Sequence, residues 1–136
     1  MSPKAVYDTN IIISAALSPS GIPSSLLALA IDGTVQLYVS PTILDEYREV
    51  VQRPKFGFSE PVIAGLMRRI TQAAVLVHPT RTLSVSPDES DNRFLECAQE
   101  ARAGYLVTGN KRHFPAPEFA GIKIVSPAEF AGMLME

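Results

Sequence analysis

The feature that most constrains the fold of this chain is the alternation of short apolar runs with longer segments of helical periodicity. The apolar runs predict strands at residues 5–7, 36–39, 75–77, 105–107 and 122–125. Periodicity, N-cap signals and Gly or Pro stops predict helices at residues 22–31, 42–52, 61–72, 90–103 and from 127 onward, with a helix or turn after residue 10. Because parallel strands need crossover connections, which are nearly always helices, this order predicts an α/β fold whose parallel sheet is covered on both faces.

The length of 136 residues allows one hydrophobic core and is too short for two ordinary domains, so we expect a single domain over residues 1–136. Hydrophobic residues make up 46% and charged residues 19%, the balance of a globular protein. No apolar run is long enough to cross a bilayer, and the N-terminus lacks the layout of a signal peptide. We therefore expect no membrane association and a cytoplasmic location.

The net charge of -2 provides no global attraction for a nucleic acid. A polyanionic substrate would need local basic clusters or metal ions to overcome the repulsion. The single cysteine, Cys97, lies in a predicted helix and is expected to be a buried small hydrophobe.

Asp8 directly follows the first predicted strand. In an open parallel sheet, ligands bind beyond the carboxyl ends of the strands, which makes this acid a candidate site residue. Aspartate is also a good helix N-cap, and position alone leaves both roles open.

Glu46 lies at the border of a buried helix face. The apolar stripe of its helix is centred near Tyr47, and Glu46 and Arg48 flank that stripe while Asp45 and Glu49 point away from it. Glu46 therefore comes nearer to the core than the neighbouring acids. The alternative is an ordinary surface residue with its stem packed down.

Asp91 gives the strongest single signal. It precedes Phe94, Leu95 and Ala98 by three, four and seven residues, so it continues the apolar face of its helix and is expected to point inward. A buried carboxylate requires a partner, a hydrogen bond or a metal. The alternative is helix capping together with Asp88, although Asp88 and Glu89 can serve that need from the outward side.

These three acids have no Arg or Lys equally placed to neutralise them. Clustered carboxylates are unstable without a cation, and hard oxygen ligands suit Mg²⁺ or Mn²⁺. The sequence therefore indicates a metal site formed by Asp8, Glu46 and Asp91.

Four blocks resemble, in order and spacing, those of the PIN-domain family, and most closely its prokaryotic branch of toxins from toxin–antitoxin systems. The blocks run from Val6 to Ile11, through Glu46-Tyr47, from Asp91 to Ala98 and from Tyr105 to Asn110. The resemblance implies a three-layer α/β/α sandwich with a central parallel sheet of about five strands. It also implies a Mg²⁺- or Mn²⁺-dependent endoribonuclease whose catalytic and metal-binding residues are Asp8, Glu46 and Asp91, with Thr9, Asn10 and Thr108 lining the site.

The chain departs from the family pattern after the fourth strand. A fourth acid usually follows the Thr-Gly pair directly or three residues on, and here those places hold Asn110 and His113. Asn110 can supply a carbonyl oxygen or orient a water molecule, but it adds no charge, so one metal and two metals both stay open. His113 is a surface histidine, a metal ligand or a phosphate contact.

Substrate phosphate would be contacted by basic residues near the acidic pocket. The candidates are Arg48, Arg53, Lys55, Arg93, Lys111 and Arg112. The resemblance also implies an RNA substrate, a homodimer and an antitoxin protein. Phe56, Phe58 and Met67 are interface or core residues on this interpretation, and Arg68-Arg69 could meet an acidic partner.

Two other functions compete with the nuclease. The missing fourth acid favours a catalytically impaired PIN-like module that binds RNA or a protein. A phosphatase or phosphoacceptor domain would use Asp8 as its nucleophile. That hypothesis lacks a second acid two residues after Asp8 and needs Lys111, which is three residues past Thr108.

Overall fold

The computed structural model describes residues 2–114 and 116–135. Its strands are β1 (Lys4–Tyr7), β2 (Gln36–Val39), β3 (Val75–Leu76), β4 (Tyr105–Val107), β5 (Glu118–Phe119) and β6 (Ile122–Val125). They form one sheet in the order β3-β2-β1-β4-β6-β5, in which every pairing is parallel except that of β5 with β6. The predicted central parallel sheet is confirmed.

The sixth strand, β5, was not predicted. It has two residues, too few for any periodicity, and forms a hairpin with β6 through Ala120 and Gly121. Both turn residues have positive φ, 50° and 85°, as a tight type I′ turn requires. An Ala-Gly pair is a weaker hairpin signal than Asn-Gly, which explains the omission.

Six helices connect the strands. They are α1 (Thr9–Leu17), α2 (Ile22–Ile31), α3 (Pro41–Val51), α4 (Glu60–Ala73), α5 (Glu89–Ala101) and α6 (Pro127–Leu134), with short 3₁₀ turns at Pro54–Phe56 and Lys111–His113. The predicted start of α3 is confirmed, because the Ser40 hydroxyl accepts the Ile43 N–H at 3.2 Å and Pro41 follows it. Among the described helices, none alone is long and apolar enough to span a membrane, while α1 and α2 meet that test only as a pair bent by 107°.

The centre of the sheet is buried on both faces. Ala5, Val6 and Tyr7 are successive residues of β1 and none is exposed, although neighbouring side chains of a strand point to opposite faces. Helices must therefore cover both sides, as a three-layer α/β/α sandwich requires. Tyr47, the predicted centre of the α3 stripe, is fully buried and donates its hydroxyl hydrogen to the Tyr7 carbonyl.

The segment between β3 and α5, residues 77–88, lies along α5 and is bound to it by three side chains. Asn92, Glu96 and Glu100, spaced one helical turn apart, accept backbone N–H groups of Val85 and Ser86, of Leu83 and of Thr80. The Asn92 amide also donates to the Ser86 carbonyl at 2.9 Å. These contacts satisfy the backbone of a proline-containing segment and hold it beside the first turn of α5.

Candidate metal centre

Asp8 lies where the two central strands end. Its backbone N–H donates to the Val107 carbonyl at 2.9 Å, so the β1–β4 pairing continues to this residue. Its Oδ2 accepts hydrogen bonds from the Thr108 hydroxyl at 2.7 Å and from the Asn10 amide at 3.2 Å. Asp8 occupies the N-cap position of α1 without a side-chain capping hydrogen bond, so its carboxylate is directed to the strand ends.

Thr108 and Asn10 are themselves fixed by the loop after β4. The Thr108 hydroxyl accepts the Asn110 N–H at 3.0 Å, and the Asn10 carbonyl oxygen accepts the Gly109 N–H at 3.1 Å. Burial raises the pKa of Asp8, and the hydrogen bond from Thr108 opposes that rise. The predicted supporting residues thus hold the Asp8 carboxylate in one orientation.

Glu46 is half-buried on α3, as the helical geometry predicted. The hydroxyl of Thr9, in the first turn of α1, donates to Glu46 Oε2. Burial raises the pKa of Glu46, the Thr9 hydrogen bond lowers it, and the charge of Asp8 raises it further. Glu46 and Asp8 are therefore close enough for their charges to interact.

Asp91 is 4% exposed, so the predicted inward direction is confirmed. Its pKa rises to about 6, because burial and then the charges of Asp8 and Asp88 disfavour ionisation. His113 and a hydrogen bond from Ser86 oppose that rise. The charge of Asp8 acts on both Glu46 and Asp91, so the three predicted acids lie near enough to Asp8 to form one acidic cluster, the acidic pocket.

Asp88 and His113 extend this pocket on the side of α5. One ligand atom from each of Asp88, Asp91 and His113 lies within 4.8 Å of the others, and His113 Nδ1 is 3.9 Å from Asp91 Oδ2. Asp88 also caps α5 by accepting the Ser90 N–H at 3.0 Å, which is the role the sequence assigned to it. Asp88 precedes Asp91 by three residues, and residues with that spacing share a helix face. This spacing was the signal in the sequence that Asp88 could also contribute a ligand beside Asp91.

The donor set fits a divalent cation. Within residues 2–114 and 116–135, no lysine or arginine forms an ion pair with Asp8, Glu46, Asp88 or Asp91. Among the described residues, His113 is therefore the basic side chain that lies beside these acids, 3.9 Å from Asp91. Several carboxylate oxygens facing one pocket are the ligands that Mg²⁺ and Mn²⁺ bind.

Two of the predicted phosphate contacts are engaged elsewhere. Arg93 pairs with Glu96 at 2.8 Å and with Glu89 at 3.3 Å, next to the segment bound on α5. Lys111 pairs with Glu129 at 2.8 Å, which fastens the loop after β4 to the start of α6. The phosphoacceptor hypothesis needs Lys111 beside Asp8, and this ion pair holds its ammonium group at α6 instead.

Arg112 borders the candidate centre. It lines an open groove of about 730 Å³ together with Asp88 and His113. Arg48 is exposed and lies 3.6 Å from Asp45 on the same helix. Arg112 is therefore the basic residue best placed to meet a phosphate at the acidic pocket.

The remaining candidates lie on α3, α4 and the turn between them. Arg53 pairs with Glu49 at 2.9 Å, and the Lys55 ammonium lies 5.1 Å from the centre of the Phe56 ring. Phe56 stacks on Phe58 with both rings half-buried, whereas Met67 is 5% exposed. Of the three residues predicted for an interface or the core, Phe56 and Phe58 are thus partly exposed, and Met67 belongs to the core.

Both the sequence and the fold of this chain have known relatives. A family model described as PIN domain matches residues 4–112. The chain belongs to the PIN domain family. Uncharacterized protein MJ1680 of Methanocaldococcus jannaschii is 34% identical over 111 residues, which cover 79% of this chain and 71% of that protein.

A solved structure shares the fold of this PIN domain. It is the crystal structure of VapBC2 from Rickettsia felis bound to a DNA fragment from their promoter, with a TM-score of 0.60 and 13% identity. The similarity covers 90% of this chain and 98% of the compared chain. The PIN match in sequence runs from the start of β1 through Arg112, so it includes the three acids and Asn110 and ends one residue before His113.

Proposed function

We propose that this PIN domain is a Mg²⁺- or Mn²⁺-dependent endoribonuclease. The observation that carries the proposal is that Glu46 and Asp91 both lie within reach of the charge of Asp8, and that no lysine or arginine among the described residues pairs with any of the three acids. Each acid comes from a different element, and each accepts a hydrogen bond from a hydroxyl group. Such a pocket is suited to a cation and to the phosphate that the cation attracts.

The protein residues supply position and charge. Thr108 and Asn10 both bind Asp8 through Oδ2, and Thr9 binds Glu46 through Oε2, so one oxygen of each acid is tied to the protein. This arrangement leaves the other oxygen of Asp8 and of Glu46 free of side-chain hydrogen bonds in the described chain. A cation bound there would activate water for attack on a phosphodiester and offset the charge that develops on the phosphate.

We further propose that the chain is the toxin of a toxin–antitoxin pair, acts on RNA in the cytoplasm, forms a homodimer and is held inactive by an antitoxin protein. The shared fold with a chain of the VapBC2 structure supports this assignment. Arg112, in the groove beside Asp88 and His113, is the proposed phosphate contact. The weaker candidates are Arg48, Arg93 and Lys111, each of which pairs with an acidic side chain outside the acidic pocket.

The decisive experiment is RNA cleavage by the purified chain across a range of Mn²⁺ and Mg²⁺ concentrations, with EDTA as the blank. We expect cleavage with cation, none with EDTA, and loss in Asp8→Asn. Asp45→Asn is the matched control, because Asp45 is an exposed aspartate at the surface of α3, with 81% of its side chain accessible. Absence of cleavage at every Mn²⁺ concentration, with identical behaviour of Asp8→Asn, would refute the nuclease.

A second candidate is favoured by Asn110, which stands where the family pattern has an acid. In that case the chain is a catalytically impaired module that binds RNA or a protein. Fluorescence anisotropy with labelled RNA separates the two functions, because the impaired module binds RNA with metal present and leaves it uncut.

The toxin assignment has its own test. Expression of the chain should arrest growth, Asp8→Asn should not, and co-expression of a small reading frame adjoining the gene should restore growth. Growth arrest that persists in Asp8→Asn would contradict a nuclease toxin.

A further inference from the structure

His113 stands close to the acids although its sequence position suggested a solvated loop. It is one of two histidines in the chain, and its Nδ1 lies 3.9 Å from Asp91 Oδ2. Asp88 completes a set of three ligand atoms within 4.8 Å of one another. This set contains a nitrogen ligand, which the three acids Asp8, Glu46 and Asp91 do not.

The distances are compatible with a shared cation. Two ligand atoms on opposite sides of a cation with bonds of about 2.1 Å are roughly 4.2 Å apart. The separation between His113 Nδ1 and Asp91 Oδ2 is already below that value. Asp88 and His113 are exposed, so rotation of their side chains can close the remaining distance, whereas Asp91 is buried and fixed.

The backbone around His113 is held in place by a buried residue. The Ser86 hydroxyl is 2.9 Å from the His113 carbonyl oxygen and 3.3 Å from Asp91 Oδ2, and it accepts the Asp88 N–H at 3.3 Å. Ser86 is 6% exposed, and Asn92 binds its backbone on both sides. A buried serine therefore links the elements that carry all three ligands.

We propose that His113 Nδ1, with Asp88 and Asp91, ligates the divalent cation of this PIN domain and makes the centre select Mn²⁺ over Mg²⁺. This inference rests on the proposed function, since it concerns the cation of the same pocket. Imidazole binds first-row transition ions well, whereas Mg²⁺ is bound mainly by carboxylates, phosphates and water. His113 thus replaces, with a different selectivity, the acid that is absent at Asn110.

Pulsed electron paramagnetic resonance of bound Mn²⁺ tests the ligand directly, without any cleavage assay. A directly bound imidazole gives a ¹⁴N coupling in the echo modulation. We expect that coupling in the wild-type protein, its loss in His113→Ala and His113→Gln, and its retention in His78→Ala. His78 is the matched control because it is the other histidine, is exposed and lies outside the cluster.

Calorimetric titration with Mn²⁺ and with Mg²⁺ tests the selectivity. Loss of a ligand should lower the Mn²⁺ affinity of His113→Ala about 10-fold to 100-fold, and Mg²⁺ affinity by less than about 3-fold. His113→Asp should instead raise Mg²⁺ affinity and narrow the ratio between the two ions. The half-exposed position of His113 makes these substitutions compatible with folding, which far-UV circular dichroism verifies.

Absence of a ¹⁴N coupling in wild type, its persistence in both His113 variants, or equal losses for Mn²⁺ and Mg²⁺ would overturn the inference. The first two results would assign His113 to a surface or phosphate-contact role, and the third would contradict the selectivity for Mn²⁺. A failed nuclease proposal has a different signature: Mn²⁺ binds with the ¹⁴N coupling, and RNA stays uncut.

Discussion

Asp91 allows a sharp test of the acidic pocket through stability rather than activity. Asp91 is 4% exposed, and the pKa of its carboxyl group rises from 3.8 to about 6, chiefly through burial and then through the charges of Asp8 and Asp88. In the absence of cation, the ionised group therefore disfavours the native state at neutral pH. We expect Asp91→Asn to stabilise the metal-free protein.

The sign and size follow from proton linkage. A carboxyl group with a raised native pKa holds its proton more tightly when folded, so stability is lost as pH rises from 3.8 to about 6. At about 1.4 kcal/mol per pKa unit, the raised pKa of Asp91 lowers the free energy of unfolding at neutral pH by at most about 3 kcal/mol. Because the site borders an open groove, solvent screening reduces the expected gain to about 1–2 kcal/mol, or about 3–8 °C in melting temperature.

The assay is calorimetry of wild type, Asp91→Asn and the exposed control Asp45→Asn in EDTA at about pH 7.5 and about pH 4. The gain from Asp91→Asn should be present at the higher pH and nearly absent at the lower one. Saturating Mn²⁺ should then make wild type more stable than Asp91→Asn. The reason is that cation binding adds about 2.7 kcal/mol to the free energy of unfolding of wild type at a Mn²⁺ concentration of about 100 times the dissociation constant. Equal destabilisation at both pH values, or an equal Mn²⁺ shift in both proteins, would refute the reasoning.

Three further substitutions examine the surroundings of the pocket. Thr108→Val removes the hydroxyl that binds Asp8 at 2.7 Å. RNA cleavage should then slow about 10-fold, and urea denaturation should show a loss of about 1–3 kcal/mol in the free energy of unfolding. Unchanged cleavage would show that Asp8 does not need Thr108 to orient it. Asn92→Ala removes the side chain that binds the backbone of residues 85–86. We expect the free energy of unfolding to fall by about 2–4 kcal/mol and the amide hydrogens of residues 85–86 to exchange faster. Exchange as slow as in wild type would show that other contacts hold the segment. Asn110→Asp should raise Mg²⁺ affinity about 10-fold in calorimetric titration, and an unchanged affinity would place residue 110 outside the cation's reach.

The fold was predictable where periodicity is long. The leucine and alanine pattern of α2 and the cap and stripe of α3 give their positions within a residue, because burial of one helix face leaves a repeating signal. The attachment of residues 77–88 to α5 was not predictable. It depends on Asn92, Glu96 and Glu100, polar residues that resemble a solvated helix face until the segment they bind is known.

The sequence predicts those features of the site whose signals lie within one helix or strand. The direction of Asp91 follows from three apolar residues on its own helix, and the structure confirms its burial. The hydrogen bond between Thr108 and Asp8 joins residues 100 positions apart, and the approach of His113 to Asp91 depends on Ser86. Contacts of that kind are set by the packing of several elements, and no pattern within one helix or strand contains them.

The geometry also explains how a chain with asparagine at residue 110 can keep the rest of the pocket. Asn110 supports Asp8 through its backbone, since its N–H donates to the Thr108 hydroxyl, which in turn donates to Asp8 Oδ2. A backbone N–H is present in every residue except proline, so an acid and an asparagine at this position orient Asp8 equally well. An acid at residue 110 differs from asparagine only in offering a carboxylate ligand and one negative charge. Under the proposed ligation by His113, which lies beside Asp91, the change acts on which cation binds, while the positioning of Asp8 is preserved.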